Sequence, residues 1–159
     1  MITIIAGSRW ANEQQTYRGI ELCPWRHEIT LVLCGMCDWH WDRRARQWCS
    51  ADMWGRNWAV RNGIPVEEFP ADYDRYALKA PPIRNSVMVA KAHALLLVWD
   101  GGSRGSLDVR KKAVASGLEF FEYVYEGRND GHDRLKNSTL SSIIRRDYQS
   151  GTPTKSGTP

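Results

Sequence analysis

Short runs of aliphatic and β-branched residues recur along the chain, and segments of helical period separate them. Residues 1–6 (MITIIA) form the first run, which breaks at Gly7-Ser8-Arg9 and reads as a buried strand entering a turn. Residues 12–22 read as a helix capped by Asn12 and stopped ahead of Cys23-Pro24. Residues 28–33 (EITLVL) predict a second strand that ends at Cys34-Gly35. Residues 36–50 are rich in Trp, Cys and Arg and show no clear period. A helix over 51–61 closes at Asn62-Gly63, a left-handed C-terminal signal, and residues 64–69 (IPVEEF) follow as a third strand. Pro81-Pro82 set the entry to a helix over 84–92. Residues 94–99 (ALLLVW) carry the strongest strand pattern. A glycine-rich turn over 100–105, a helix over 106–116 ended by Gly117, and a fifth strand over 119–125 complete the series.

Alternating apolar strands and helices predict an α/β fold: a Rossmann-like, doubly wound parallel sheet of about five strands with helices on both faces. Residues 1–126 form the expected domain. The remainder, 127–159, reads as a C-terminal extension, with one short helix over 135–148 and a Ser/Thr/Gly/Pro-rich stretch from 150 expected to be disordered.

Charge changes the picture little. The net charge is +4, but residues 127–159 hold six Lys/Arg against three Asp/Glu. The first 126 residues are close to neutral, so bulk charge does not argue for nucleic acid as a partner. No run approaches the roughly 18 apolar residues of a membrane span, and Met1 leads straight into a strand without a signal-peptide pattern. The expectation is a cytoplasmic protein without membrane contact, its four cysteines reduced or bound to metal.

Two strand-to-helix junctions carry the chemistry: Gly7-Ser8-Arg9, and Asp100-Gly101-Gly102-Ser103-Arg104-Gly105-Ser106. In a parallel sheet both fall on the carboxyl edge, where ligands bind. Glycines let the backbone approach an anion, helix-start amides can cradle phosphate, Ser106 would cap its helix, and Arg9 and Arg104 would neutralise charge. Within the unpatterned stretch, Cys34, Cys37, His40 and Cys49 offer three thiolates and an imidazole to a zinc ion, or else pack among the tryptophans. Trp39, Trp41, Trp48 and Trp54, interleaved with Arg43, Arg44 and Arg46, suit base stacking and phosphate contact, or a hydrophobic cluster or oligomer contact. No cofactor other than that zinc is implied.

The chain resembles the SLOG superfamily of Smf/DprA and LOG-type proteins, in particular its small stand-alone bacterial and phage members. The matching segments are Ala6-Gly7-Ser8-Arg9, Ala51-Asp52 with Trp58-Ala59, Gly63-Ile64-Pro65-Val66, and Phe69-Pro70-Ala71-Asp72. They continue with Pro82-Ile83-Arg84-Asn85 and Met88, then Trp99-Asp100-Gly101 with Ser103-Arg104-Gly105, in one order over about residues 1–125. The resemblance implies a nucleotide site that adds Gly35, Asp52, Arg84 and Asn85 to the two junctions, and it implies homo-oligomers. It also marks a departure. Relatives have a compact Gly-Gly-Ala-Arg-Gly-Ala-Asp turn after the second strand, whereas here about a dozen residues, 36–49, lie between Gly35 and Ser50-Ala51-Asp52. This insertion is expected to cover the pocket mouth.

LOG-type phosphoribohydrolases carry an Arg and the Glu of a Gly-Thr-x-x-Glu motif at the scissile bond. Arg84 matches the Arg, Gly105-Ser106 resembles Gly-Thr, and Val109 occupies the Glu position, with Asp108 one residue earlier. One residue turns a helical side chain by about 100°. The sequence therefore favours binding over catalysis: a protein that holds a cyclic nucleotide or ADP-ribose derivative, in a phage setting as a sponge for an immune signal in the host cytoplasm. Nucleotide hydrolysis through Arg84 with Asp108 or Asp52, and DprA-like single-stranded nucleic-acid binding through the insertion, are the alternatives.

Overall fold

The computed structural model describes residues 1–125; the expected extension 127–159, with the helix expected over 135–148 and the disorder expected from 150, lies outside them. In chain order the elements are β1 (Ile2–Gly7), α1 (Glu13–Leu22), β2 (Leu31–Cys34), β3 (His40–Asp42), β4 (Gln47–Cys49) and α2 (Ala51–Arg61). There follow β5 (Val66–Glu68), α3 (Tyr73–Tyr76), α4 (Ala80–Lys91), β6 (Ala94–Trp99), α5 (Arg104–Ala115) and β7 (Glu119–Val124). Five strands form one sheet in the order β5-β2-β1-β6-β7, every neighbouring pair parallel. The α/β, Rossmann-like fold expected from the sequence is the fold observed.

The period of two along each strand divides the core between the two faces. Ile5, Val32, Leu96 and Val98 pack with Ile20 of α1 and Ala51 and Ala59 of α2. Their neighbours Ile4, Leu33, Leu95 and Leu97 pack on the other side with Met88 and Val89 of α4 and Val109 and Ala113 of α5. All six residues of β6 are buried, which is why its sequence is an unbroken apolar run. Each fully buried Leu, Ile or Val contributes about 1.5–3 kcal/mol.

The topology locates the crevice. From β1 the chain steps outward to β2 and β5, then returns across β1 to β6 and continues to β7. The winding reverses between β1 and β6, so the loops after these two strands part to opposite faces and leave an opening at the carboxyl edge.

Several boundaries depart from the sequence expectation. Residues Arg26–Glu28 form a 3₁₀ turn, so β2 starts only at Leu31. Pro65 has no N–H to give, although its carbonyl accepts from Val32, and regular pairing of β5 begins at Val66. Helix α4 begins at Ala80 and takes Pro81-Pro82 into its first turn, where the missing amides cost nothing. The unpatterned stretch holds an antiparallel hairpin, β3 against β4, with Trp41 opposite Trp48.

Candidate functional site

The two loops that flank the crevice are tied together by their own side chains. Ser8 Oγ donates to Asp100 Oδ2 at 3.2 Å and accepts from the Trp10 amide at 3.2 Å. Asp100 Oδ1 in turn accepts from the amides of Gly102 (3.1 Å) and Ser103 (3.2 Å). Asp100, a candidate ligand contact, thus also shapes the turn. Gly101 takes a φ of +79°, a conformation only glycine adopts without strain. Gly7 is required for another reason: a Cβ there would collide with the Val98 carbonyl across the β1–β6 pair. Tyr125, buried behind this junction, has its phenol pushed up to about 12 by burial, with the Ser8 hydroxyl pulling the other way.

Helix α5 starts two residues earlier than expected. Ser103 is its N-cap residue, and Ser106 lies inside the first turn, so the capping role assigned to Ser106 is corrected. Ser103 makes no side-chain cap bond, whereas Asn12, Ser50 and Asp72 cap α1, α2 and α3. Space is open around the positions where Cβ atoms of Gly102 and Gly105 would stand. Arg9 and Arg104 are exposed. Ser106 is 2% exposed, and its Oγ has no hydrogen-bond partner among the described residues.

On the β2 side of the edge, one buried carboxylate organises the chain. Asp52 Oδ1 accepts from the Gly7 amide and Oδ2 from the Cys37 amide, each at 3.3 Å. Burial pushes the Asp52 carboxyl above its ordinary range, while Arg84 and these amides pull it down. A Cβ on Gly35 would stand 2.7 Å from Asp52 Oδ2 and 2.8 Å from Arg84 Cζ, so glycine leaves room for this pair. Arg84 Nε then donates to Asn85 Oδ1 (2.9 Å), Asn85 Nδ2 to Asp108 Oδ2 (2.8 Å), and Lys112 Nζ to the same oxygen (2.8 Å). A polar chain thus runs from α2 through α4 to α5, with Asp108 joined to Arg84 by Asn85. Val109 is 2% exposed in the core, and no carboxylate could occupy that position without burial.

The structure does not bring the four candidate zinc ligands together. Among the described residues no group of three or more His, Cys, Asp or Glu has a metal-holding arrangement. Cys34 is buried, with its thiol against the Asp52 carbonyl, and burial pushes it up to about 12. His40 instead packs its ring edge-on to Trp10, centroids 3.9 Å apart. Cys37 meets the Arg9 side chain. The insertion is anchored to the domain by Trp39 on Trp54 (4.9 Å), by Trp54 Nε1 on the Trp48 carbonyl, by Ser50 Oγ on the Cys37 carbonyl and by a bridge from Asn12 to Cys49. Trp41 and Trp48 pair with each other at 5.1 Å on the hairpin's exposed side.

Sequence reasoning missed Trp10, Cys37 as an amide donor and Lys112. Trp10 directly follows Ser8-Arg9, and an aromatic residue at that place was the available signal.

No protein-family model matches the chain, and no curated protein matches it. Among solved structures it is similar to DNA processing protein A (DprA) from Streptococcus pneumoniae, with 16% identity, a TM-score of 0.53, and coverage of 82% of this chain and 52% of that one. The chain thus spans about half the length of that protein, and at this identity the likeness is one of fold. No helix among the described residues is long and apolar enough to cross a membrane.

Proposed function

We propose that the chain is a member of the SLOG superfamily that binds a nucleotide or nucleotide-derived signalling molecule, a cyclic nucleotide or ADP-ribose derivative, and holds it without converting it. One observation carries this reading: the twelve-residue helix α5 opens behind Gly101-Gly102 with no side-chain cap from Ser103, at the β1–β6 reversal, with open space around Gly102 and Gly105. Such a helix start offers outward amides and a partial positive charge to a phosphate. Arg9 and Arg104 supply exposed positive charge at the rim, and the orphaned Ser106 hydroxyl adds a polar group that a ligand or a water would satisfy. Holding alone suffices for a sponge, the role that follows if the chain works in a phage-infected cell. Titration of the purified protein against a panel of cyclic nucleotides, nucleoside monophosphates and ADP-ribose derivatives tests the proposal. Binding of at least one at micromolar strength or tighter is expected, and a blank panel would end it.

Hydrolysis of an N-glycosidic bond is the second reading, favoured by the Asn85 bridge that joins Asp108 to Arg84. It predicts free base from nucleoside monophosphates and loss of that turnover in Asp108→Asn. Single-stranded nucleic acid on the hairpin, supported by the exposure of Trp41 and Trp48 beside Arg43 and Arg46, predicts binding that weakens steeply with salt.

A further inference from the structure

We infer that residues 135–148 of this chain dock as a helix on the uncovered face of β7, in the groove beside α1. The two faces of the sheet are unequally covered. On one face α4 and α5 pack together, and α5 reaches β7. On the other, α2 lies over β1 and β2, and α1 lies over β6. There α1 meets β7 at its flank, where a Cβ on Gly19 would stand 3.2 Å from Tyr123. Beyond that flank no helix among the described residues covers β7. The alternation of the strand puts Glu119, Phe121 and Tyr123 on this side. Phe121 and Tyr123 are only half-buried, although Trp25 meets the Phe121 ring edge-on. Leu22, one turn on from Gly19 along the same flank, is 43% exposed. An open groove of about 640 Å³ runs along α1 to Tyr123.

The chain itself supplies a cover of the right length. Tyr125, the last described residue, follows β7 at the carboxyl edge, and residues 126–134 can span up to about 30 Å, enough to turn back over the sheet. A helix over 135–148 is about 21 Å long, and β7 with its 6 residues runs about 20 Å, so one antiparallel pass covers the strand. Leu140, Ile143, Ile144 and Tyr148 recur at the spacing of a helix with one buried face. The same pass carries Arg145 and Arg146, on opposite flanks of that stripe, to the amino edge of the sheet. Glu119 opens β7 there and Glu21 stands in the last turn of α1, both exposed. Arg18 and Arg26 lie toward the same end, so apolar contact, not charge, carries most of the docking. Tyr125 is buried behind the Ser8–Asp100 junction, so a docked segment that starts just after it braces the edge that carries the proposed ligand site.

The test is NMR of the full chain with labelled Ile methyl groups and Tyr rings, in wild type and in the double variant Ile143→Asp, Ile144→Asp. Wild type is expected to show nuclear Overhauser contacts from the Ile143 or Ile144 methyl to the Tyr123 ring or to Leu22, with that methyl shifted upfield by the ring. In the double variant, the amides of residues 19–22 and 121–124 are expected to exchange about tenfold faster than in wild type. Ile143 and Ile144 methyls at the shifts of an unfolded chain, without contact to Tyr123 or Leu22, overturn the inference. Contacts to Val114 or Val124 also overturn it, because they put the segment on the α5 side. Contacts that arise only between chains, in a mixture of differently labelled protein, assign the groove to a second copy and overturn it too. Unchanged amide exchange in the double variant shows that the segment covers nothing there, and ends the inference as well.

Discussion

Gly105 separates stability from binding more cleanly than other residues of the site. It stands in the first turn of α5 with open space where a Cβ would go, and helical glycine costs up to about 1 kcal/mol against alanine. Gly105→Ala is therefore expected to raise the melting temperature slightly while it weakens nucleotide binding about tenfold, since the methyl group shades the amides. Calorimetric melting and titration of the same preparation check both halves. Asp52 gives a pH signature. Burial raises its folded-state pKa above the unfolded value, so the folded chain holds this proton more tightly than the unfolded chain does. Its contribution to stability is therefore present at low pH and is lost as pH rises through the folded pKa. Melting curves from about pH 4 to 8 should show a decline in wild type that Asp52→Asn lacks. Parallel curves would mean that Arg84 and the amides of Gly7 and Cys37 fully offset the burial.

At the scale of elements, the hairpin is both the least legible part and an integrated one. Its alternation is inverted: Trp41 and Trp48 face outward while Asp42 and Cys49 are buried. A reader who expects apolar positions inside finds no strand there. Asp42 stays inside because its carboxylate accepts from the amides of Arg44 and Ala45 and closes the turn, a bond no period reveals. The buried strands β1 and β6 and the helix behind Asn12, by contrast, were legible because apolar runs and an Asn-x-x-Gln capping box are local signals. Replacing residues 36–49 by a short Gly-Ala-Arg linker removes Trp39 and Cys49 from their contacts and is expected to cost about 2–5 kcal/mol. Replacing the tip alone, 43–46, by Asn-Gly should cost under about 1 kcal/mol. Denaturant unfolding of the two variants decides whether the insertion is packed or merely appended. Its thiols report on the same point. Cys23 and Cys34 are buried and pushed up to about 12, and Cys49 is buried. The half-buried Cys37 is then the cysteine among these four that iodoacetamide should modify first in the folded protein, by peptide mass mapping.

For the whole molecule, the proposed function rests on where the sheet reverses. The run of strands and helices indicated a doubly wound sheet, but the order β5-β2-β1-β6-β7 follows from packing that no single segment carries. Both loops named from the sequence, after β1 and after β6, do meet at that reversal, joined by Ser8 and Asp100. The network that joins Asp52, Arg84, Asn85, Asp108 and Lys112 was only half legible, because it depends on three helices arriving at one edge. The central claim is that a ligand phosphate sits on the first turn of α5. A crystal structure of the protein with the tightest-binding nucleotide of the panel tests it most directly. The account predicts a phosphate oxygen within about 3.2 Å of the Gly105 or Ser106 amide nitrogen. A nucleotide bound instead along the hairpin arginines, with the α5 turn facing only solvent, would contradict it.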